Sequence, residues 1–130
     1  VRILIDTDVL MDVALARAPH AEDSVQVLRW AEAGGSAAVA WHSLTNCAYL
    51  LKGNGRAFLL RLVKLVDVAP VGASDARRAL SLPMSDLDDA FQTAAALAWQ
   101  ADAIVTRNIS DYRRSPVPAL SPSAFLARVG

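Results

Sequence analysis

The chain has 130 residues, of which 54% are apolar and 20% charged. That excludes intrinsic disorder and provides one domain's worth of core, with no room for a second. Thirteen Lys and Arg balance thirteen Asp and Glu, and a formal charge of zero argues at face value against a general nucleic-acid binder.

No apolar run approaches the ~20 residues of a membrane helix. The opening Val1-Arg2-Ile3-Leu4-Ile5-Asp6 is too short and too soon charged for a secretory signal. The expectation is therefore a cytoplasmic protein with no membrane association. Cys47 is the single cysteine, so neither a disulfide framework nor a cysteine-rich zinc site is available. It lies in an apolar stretch and reads as an inert core thiol. His20 and His42 match no metal-ligand spacing.

Ile3-Leu4-Ile5 reads as a buried strand that stops at Asp6. Val9 to Ala16 is helical and is broken by Pro19; Glu22 to Ala33 is a second helix, stopped by Gly34-Gly35. Ala37 to Trp41 is a second strand. Ser43 caps a helix to Leu51, and Gly53-Asn54-Gly55 breaks it. Arg56 to Leu65 is strongly amphipathic. Val66 to Ala69 is a third strand, ended by Pro70, and Ser74 caps a short helix to Leu80. Ser85 or Asp86 opens the best helix of the chain, which runs to about Gln100 with Leu87, Phe91, Ala94, Ala95 and Ala98 on its core face. Ala103 to Thr106 is a fourth strand, Val117 to Leu120 a marginal fifth, and Ser121-Pro122 starts a last short helix.

Short, apolar, unalternating strands that alternate with helices predict a parallel sheet covered on both faces. The expected architecture is a single α/β domain over residues 1–130, three-layered, with about five short strands.

In such a sheet, function gathers at the carboxyl ends of the strands. Asp6 and Asp8 follow the first strand, with Asp12 one helical turn on. Arg107, Asn108 and Asp111 follow the fourth strand, and Asp86, Asp88 and Asp89 crowd the start of the long helix. Asp86 and Asp89, three apart, share a helix face. Taken singly, each cluster has an ordinary explanation: acids favour a helix N-terminus, and Asn108 to Asp111 fits a turn. Together they point to a cation. Converging carboxylates repel one another and are costly to desolvate unless neutralised, and an all-oxygen donor set selects Mg²⁺ or Mn²⁺.

Three stretches resemble the PIN domain family, small metal-dependent nucleases that include toxins of the VapC type. They are Ile3-Leu4-Ile5-Asp6-Thr7-Asp8-Val9-Leu10, Ser85-Asp86-Leu87-Asp88-Asp89-Ala90-Phe91-Gln92 with the alanine-rich helix to Trp99, and Ala103-Ile104-Val105-Thr106-Arg107-Asn108-Ile109-Ser110-Asp111-Tyr112 with Leu120-Ser121-Pro122 after it. The resemblance implies a PIN-like fold and a ribonuclease acting on single-stranded RNA. It implies metal ligation by Asp6, Asp89 and Asp111, or the Asn108 position in place of the last, with Asp86 beside them among the catalytic acids. Asp8, Thr106 and Asn108 would support the pocket, and Arg107, Arg113 and Arg114 would hold phosphates. Many PIN nucleases carry a Glu in the helix after the second strand; Asn46 stands there in this chain and offers one neutral oxygen but no charge. Asp8 and Asp12 are candidates to compensate. A toxin role implies an antitoxin partner, with Trp30 or the Phe58–Val66 helix as candidate surface for it or for a homodimer.

Two rivals remain at this point. Asp6-Thr7-Asp8-Val9-Leu10 also resembles the nucleophile loop of haloacid-dehalogenase-type phosphatases, though neither Lys52 nor Lys64 precedes a suitable acidic loop. A PIN fold weakened at Asn46 would bind RNA or a protein without cutting. The zero net charge separates none of these. Seven acids sit in the three clusters, leaving six elsewhere against thirteen bases. The expectation is a negative pocket in a basic surround.

Overall fold

The computed structural model describes residues 1–130. Five parallel strands, β1 (Arg2–Ile5), β2 (Ser36–Val39), β3 (Asp67–Val68), β4 (Ala103–Val105) and β5 (Ala119–Leu120), form one sheet in the order β3-β2-β1-β4-β5. Seven α-helices surround it: α1 (Thr7–Ala14), α2 (Ala21–Glu32), α3 (Trp41–Leu51), α4 (Gly55–Leu65), α5 (Ala73–Ser81), α6 (Leu87–Trp99) and α7 (Pro122–Val129). A 3₁₀ turn over Ile109–Tyr112 follows β4.

The central strands carry no polar alternation because both faces of the sheet are covered. Ile3, Ile5, Val39 and Val105 point into one core with Val9, Val27, Leu62 and Phe125. Leu4, Ala38 and Ile104 point into the other with Ala90, Ala95, Ala96, Trp99 and Tyr112. β1 is central, and its registers Ile5↔Val39 and Ile5↔Val105 bring Asp6, Ala40 and Thr106 side by side past the carboxyl edge.

Several boundaries differ from the sequence expectation. α3 begins at Trp41, with Ala40 as its cap residue, and Ser43 is fully buried inside the helix instead of capping it. α5 starts after Gly72, whose N–H donates to Oδ2 of Asp75, two residues ahead of the expected Ser74 cap. The phase of α6 is also corrected. Leu87 and Phe91 are exposed, whereas Ala90, Ala94, Ala95 and Ala96 face inward. Small side chains let the helix lie close on the sheet, which leaves the two bulky ones on its open side. Trp30, expected as a candidate surface residue, packs edge-on against Phe125 at 4.9 Å between ring centroids and joins the core. No helix is long and apolar enough to cross a membrane.

Candidate metal and nucleic-acid site

Asp6 ends β1 and is the cap residue of α1, where its Oδ1 accepts the Thr7 N–H at 2.7 Å. Its Oδ2 accepts the hydroxyls of Thr106 at 2.9 Å and Tyr112 at 2.8 Å. Burial raises its pKa against these donors, and the charge of Asp88 adds to the rise. Asp8 is tied to the loop after β4. Its Oδ2 accepts from the Asn108 side chain at 2.9 Å and the Arg107 N–H at 3.2 Å, and its Oδ1 is buried with no partner. Burial and the charge of Asp6 push its carboxyl up to about 6. The Thr106 hydroxyl also lies 3.3 Å from Oδ2 of Asp8 and accepts the Asn108 N–H at 3.0 Å. With one proton to give, it goes to the nearer oxygen, on Asp6.

α6 supplies the facing acids. Asp86 caps it by accepting the Asp89 N–H at 3.1 Å. Asp89 is buried, and desolvation together with Asp86, Asp6 and Asp111 pushes it up to about 7. Tyr112 lies between Asp6 and Asp89, and burial and both charges raise its own pKa, so it stays a protonated donor. Asp111 is exposed at the rim. Asp88 stands on the α3 side, where its Oδ1 accepts from Asn46 Nδ2 at 3.3 Å and lies 3.5 Å from His42 Nε2.

Beneath the acids is a polar layer that the sequence reasoning missed. Gln92 Nε2 donates to Ser43 Oγ at 2.6 Å and to Thr7 Oγ1 at 3.2 Å, and Thr7 Oγ1 donates to Ser43 Oγ at 2.8 Å. Tyr112 was missed for a geometric reason. On a single 3₁₀ turn, adjacent residues face apart, so the signal at Asp111 pointed to the rim while Tyr112 entered the pocket. Gln92 had a visible signal: it is the one polar amide in a run of alanines, three residues past Asp89.

Two expectations are corrected. Arg107 is not a free phosphate ligand. Its Nε and Nη2 both donate to Asp12, which is fully buried and also faces Arg17 at 3.6 Å. Asp12 is neutralised there and does not compensate for Asn46. The remaining six acids of the clusters lie on the elements at the carboxyl edge: Asp6 and Asp8 at the start of α1, Asp86, Asp88 and Asp89 at the start of α6, and Asp111 on the turn after β4. Arg113 and Arg114 line an open groove of about 660 Å³ with Ser85, Ser110 and Asp111.

As the side chains stand, no three His, Cys, Asp or Glu close around one point. The donor chemistry nevertheless fits a hard divalent cation. Oxygen donors dominate, three carboxyls raise their pKa under one another's charge or burial, and Oδ1 of Asp8 has no partner.

A family model described as PIN domain matches residues 2–110, and the chain belongs to the PIN domain family. The fold is shared with a chain of the VapBC2 crystal structure from Rickettsia felis, bound to a DNA fragment from their promoter, at TM-score 0.74 and 15% identity over 93% of this chain and 98% of that one. It is shared also with a chain of FitAcB from Neisseria gonorrhoeae, at TM-score 0.59 and 17% identity over 93% and 98%. No curated protein sequence matches the chain. The family match displaces the haloacid-dehalogenase alternative. Consistent with that, both oxygens of Asp6 are held by donors.

Proposed function

We propose that the chain is a divalent-metal-dependent ribonuclease that hydrolyses phosphodiester bonds of single-stranded RNA and serves as the toxin of a toxin–antitoxin pair. The observation that carries this reading is the set of buried or part-buried carboxyls, Asp6, Asp8 and Asp89, at the carboxyl edge of the sheet, each raised first by burial and then by a neighbouring carboxylate, with Oδ1 of Asp8 unpartnered. Asp6 and Asp89 would hold Mg²⁺ or Mn²⁺, with Asp8 beside the first and Asp111 beside the second. Such an ion, when bound, polarises the phosphoryl oxygen and lowers the pKa of a water.

The chain's own residues do the rest. Thr7, Thr106 and Tyr112 fix the rotamer of Asp6. The Asp89 carboxyl, pushed up to about 7 in the metal-free chain, would be held deprotonated by a bound cation. Arg113 and Arg114 face the groove and engage backbone phosphates by charge. Asn46, which holds Asp88, adds a neutral oxygen but no charge of its own.

An antitoxin partner is proposed from the fold shared with chains of VapBC2 and FitAcB. Tyr49, Leu50, Leu60 and Val63 on α3 and α4 are exposed and offer an apolar surface beside Lys52 and Arg56.

The test is cleavage of structured and unstructured RNA with Mn²⁺ by the wild type and by Asp6→Asn. Cutting that falls by roughly a hundredfold or more in the variant supports the assignment. Equal cutting by both would mean that the site is wrong. If Mn²⁺ leaves the melting temperature unchanged and no RNA is cut, the chain is a binding module built on a PIN fold.

A further inference from the structure

The carboxyl edge carries a second exposed feature, on the side of the acids away from Arg113 and Arg114. Trp41 is 63% exposed and Phe91 36%, and both line one small cavity together with His42 and Val71. Trp41 belongs to neither core, whereas Ala40 and Ala95, which line the same cavity, are buried in the second. Its position is fixed by the sheet. Ile5 pairs with Val39, so Ala40 lies beside Asp6, and Trp41 is the next residue. The His42 ring stands 6.1 Å from the Phe91 ring at 63°, and its Nε2 lies 3.5 Å from Oδ1 of Asp88. The aromatic rim therefore borders the acids at the start of α6.

We infer that Trp41 and Phe91 form a stacking subsite for a nucleobase next to the scissile phosphate of a single-stranded nucleic acid. The inference rests on the ribonuclease reading above and adds the way the strand lies on the site. Charge decides what this rim accepts. Asp88, beside this rim and outside the proposed ligand set, repels a phosphate, whereas a neutral base offers a flat π-face to an indole and a phenyl ring. On the opposite side, Arg113 and Arg114 attract phosphate and offer no aromatic surface. A strand crossing the carboxyl edge thus has phosphates over β4 and β5, the scissile bond over Asp6 and Asp89, and a base over the amino end of α3. A paired base, already stacked in a duplex, has no free face to give, so the subsite selects single strands.

The test measures binding of a short single-stranded RNA to Trp41→Ala, Trp41→Phe and Phe91→Ala, each in an Asp6→Asn background to stop cutting. A series of the same RNA with one abasic position moved along it serves as the second probe. Trp41 is mostly exposed, so its variants keep the fold, and circular dichroism checks this. The expected result is binding weakened roughly tenfold by Trp41→Ala and by less than about threefold by Trp41→Phe. One abasic position should weaken the parent equally and the Trp41→Ala variant no further. Unchanged binding by Trp41→Ala, or an abasic effect that adds to it at every position, overturns the subsite. So does unchanged RNA binding together with loss of self-association or of antitoxin binding, which would assign the rim to a protein. Trp41-dependent binding by a wild type that never cuts supports the subsite and sinks the nuclease reading alone. Cutting indifferent to Trp41 does the reverse, and absence of any RNA binding removes both.

Discussion

The Tyr112 and Thr106 hydroxyls donate to the same oxygen of Asp6, and each lowers a pKa that burial raises. Tyr112→Phe removes one donor while keeping the ring that fills the second core. The pKa of Asp6 then rises further, and the acid limb of the pH–rate profile should move to higher pH, as a kcat/KM profile will show. An unmoved limb would mean that Asp6 does not set it. A different residue pair bears on stability. Arg107→Ala leaves the buried Asp12 with only the more distant Arg17. Breaking a buried pair costs about 3–5 kcal/mol. Because Arg107 is itself 28% exposed and Arg17 remains, roughly 2–3 kcal/mol is expected by urea unfolding. The Asp12→Asn, Arg107→Ala double variant should lose less than Arg107→Ala alone. Sequence spacing showed that Asp12 and Arg107 both lie near the site. It did not show that they neutralise each other, because their 95-residue separation closes only through the β1–β4 pairing.

At the scale of elements, α6 does two jobs with one turn. Asp86 satisfies the Asp89 N–H and also adds negative charge beside the Asp89 carboxyl. Asp86→Ala should cost about 1 kcal/mol of stability through the lost cap and lower the pKa of Asp89, since a repelling neighbour is gone. Carboxyl chemical shifts followed against pH will report that change. The helix itself was legible from its opening acids and its alanines, but its rotation was not. Leu87 and Phe91 are the most apolar residues of its first half, and an amphipathic reading turns them inward. The structure turns them outward because only alanines allow the helix to approach the sheet. α3 shows a related limit. Ser43 has the chemistry of a cap, yet it is consumed by Thr7 and Gln92, contacts that exist only once α1, α3 and α6 meet.

At the scale of the molecule, a zero net charge is unevenly divided: acids open α1 and α6 at the carboxyl edge, Arg107 is spent on Asp12, and Arg113 and Arg114 share a groove with Asp111. The stability of the metal-free protein follows. Carboxyls raised to about 6 and about 7 bind more protons folded than unfolded between pH ~4 and those values. Stability is therefore fullest below the unfolded pKa and declines as pH rises through that window. Melting temperature should fall from about pH 5 to 7.5, less so in Asp89→Asn, and Mn²⁺ should restore more of it at the upper end. A flat wild-type profile would refute the coupling. On the basic side, Arg113→Ala with Arg114→Ala should weaken RNA binding across sequences. It should also reduce the dependence of log K on log[salt] by about 0.7 for each phosphate that the variant no longer neutralises.

Length, apolar content and the alternation of short strands with helices determined a parallel α/β domain, because a strand buried on both faces has to be apolar throughout. The acids after the first and fourth strands and before the sixth helix were legible for a related reason. Carboxyl edges are where a buried sheet meets solvent, and costly side chains stand out there. What only the tertiary structure decided is which groups answer them: Tyr112 on Asp6, Arg107 on Asp12, Asn46 on Asp88, and the polar layer of Thr7, Ser43 and Gln92. Those partners lie 36 to 106 residues apart in the chain. Hydrogen bonds and ion pairs act over a few ångströms, so their pairing is written in strand order and helix rotation, which local sequence does not encode.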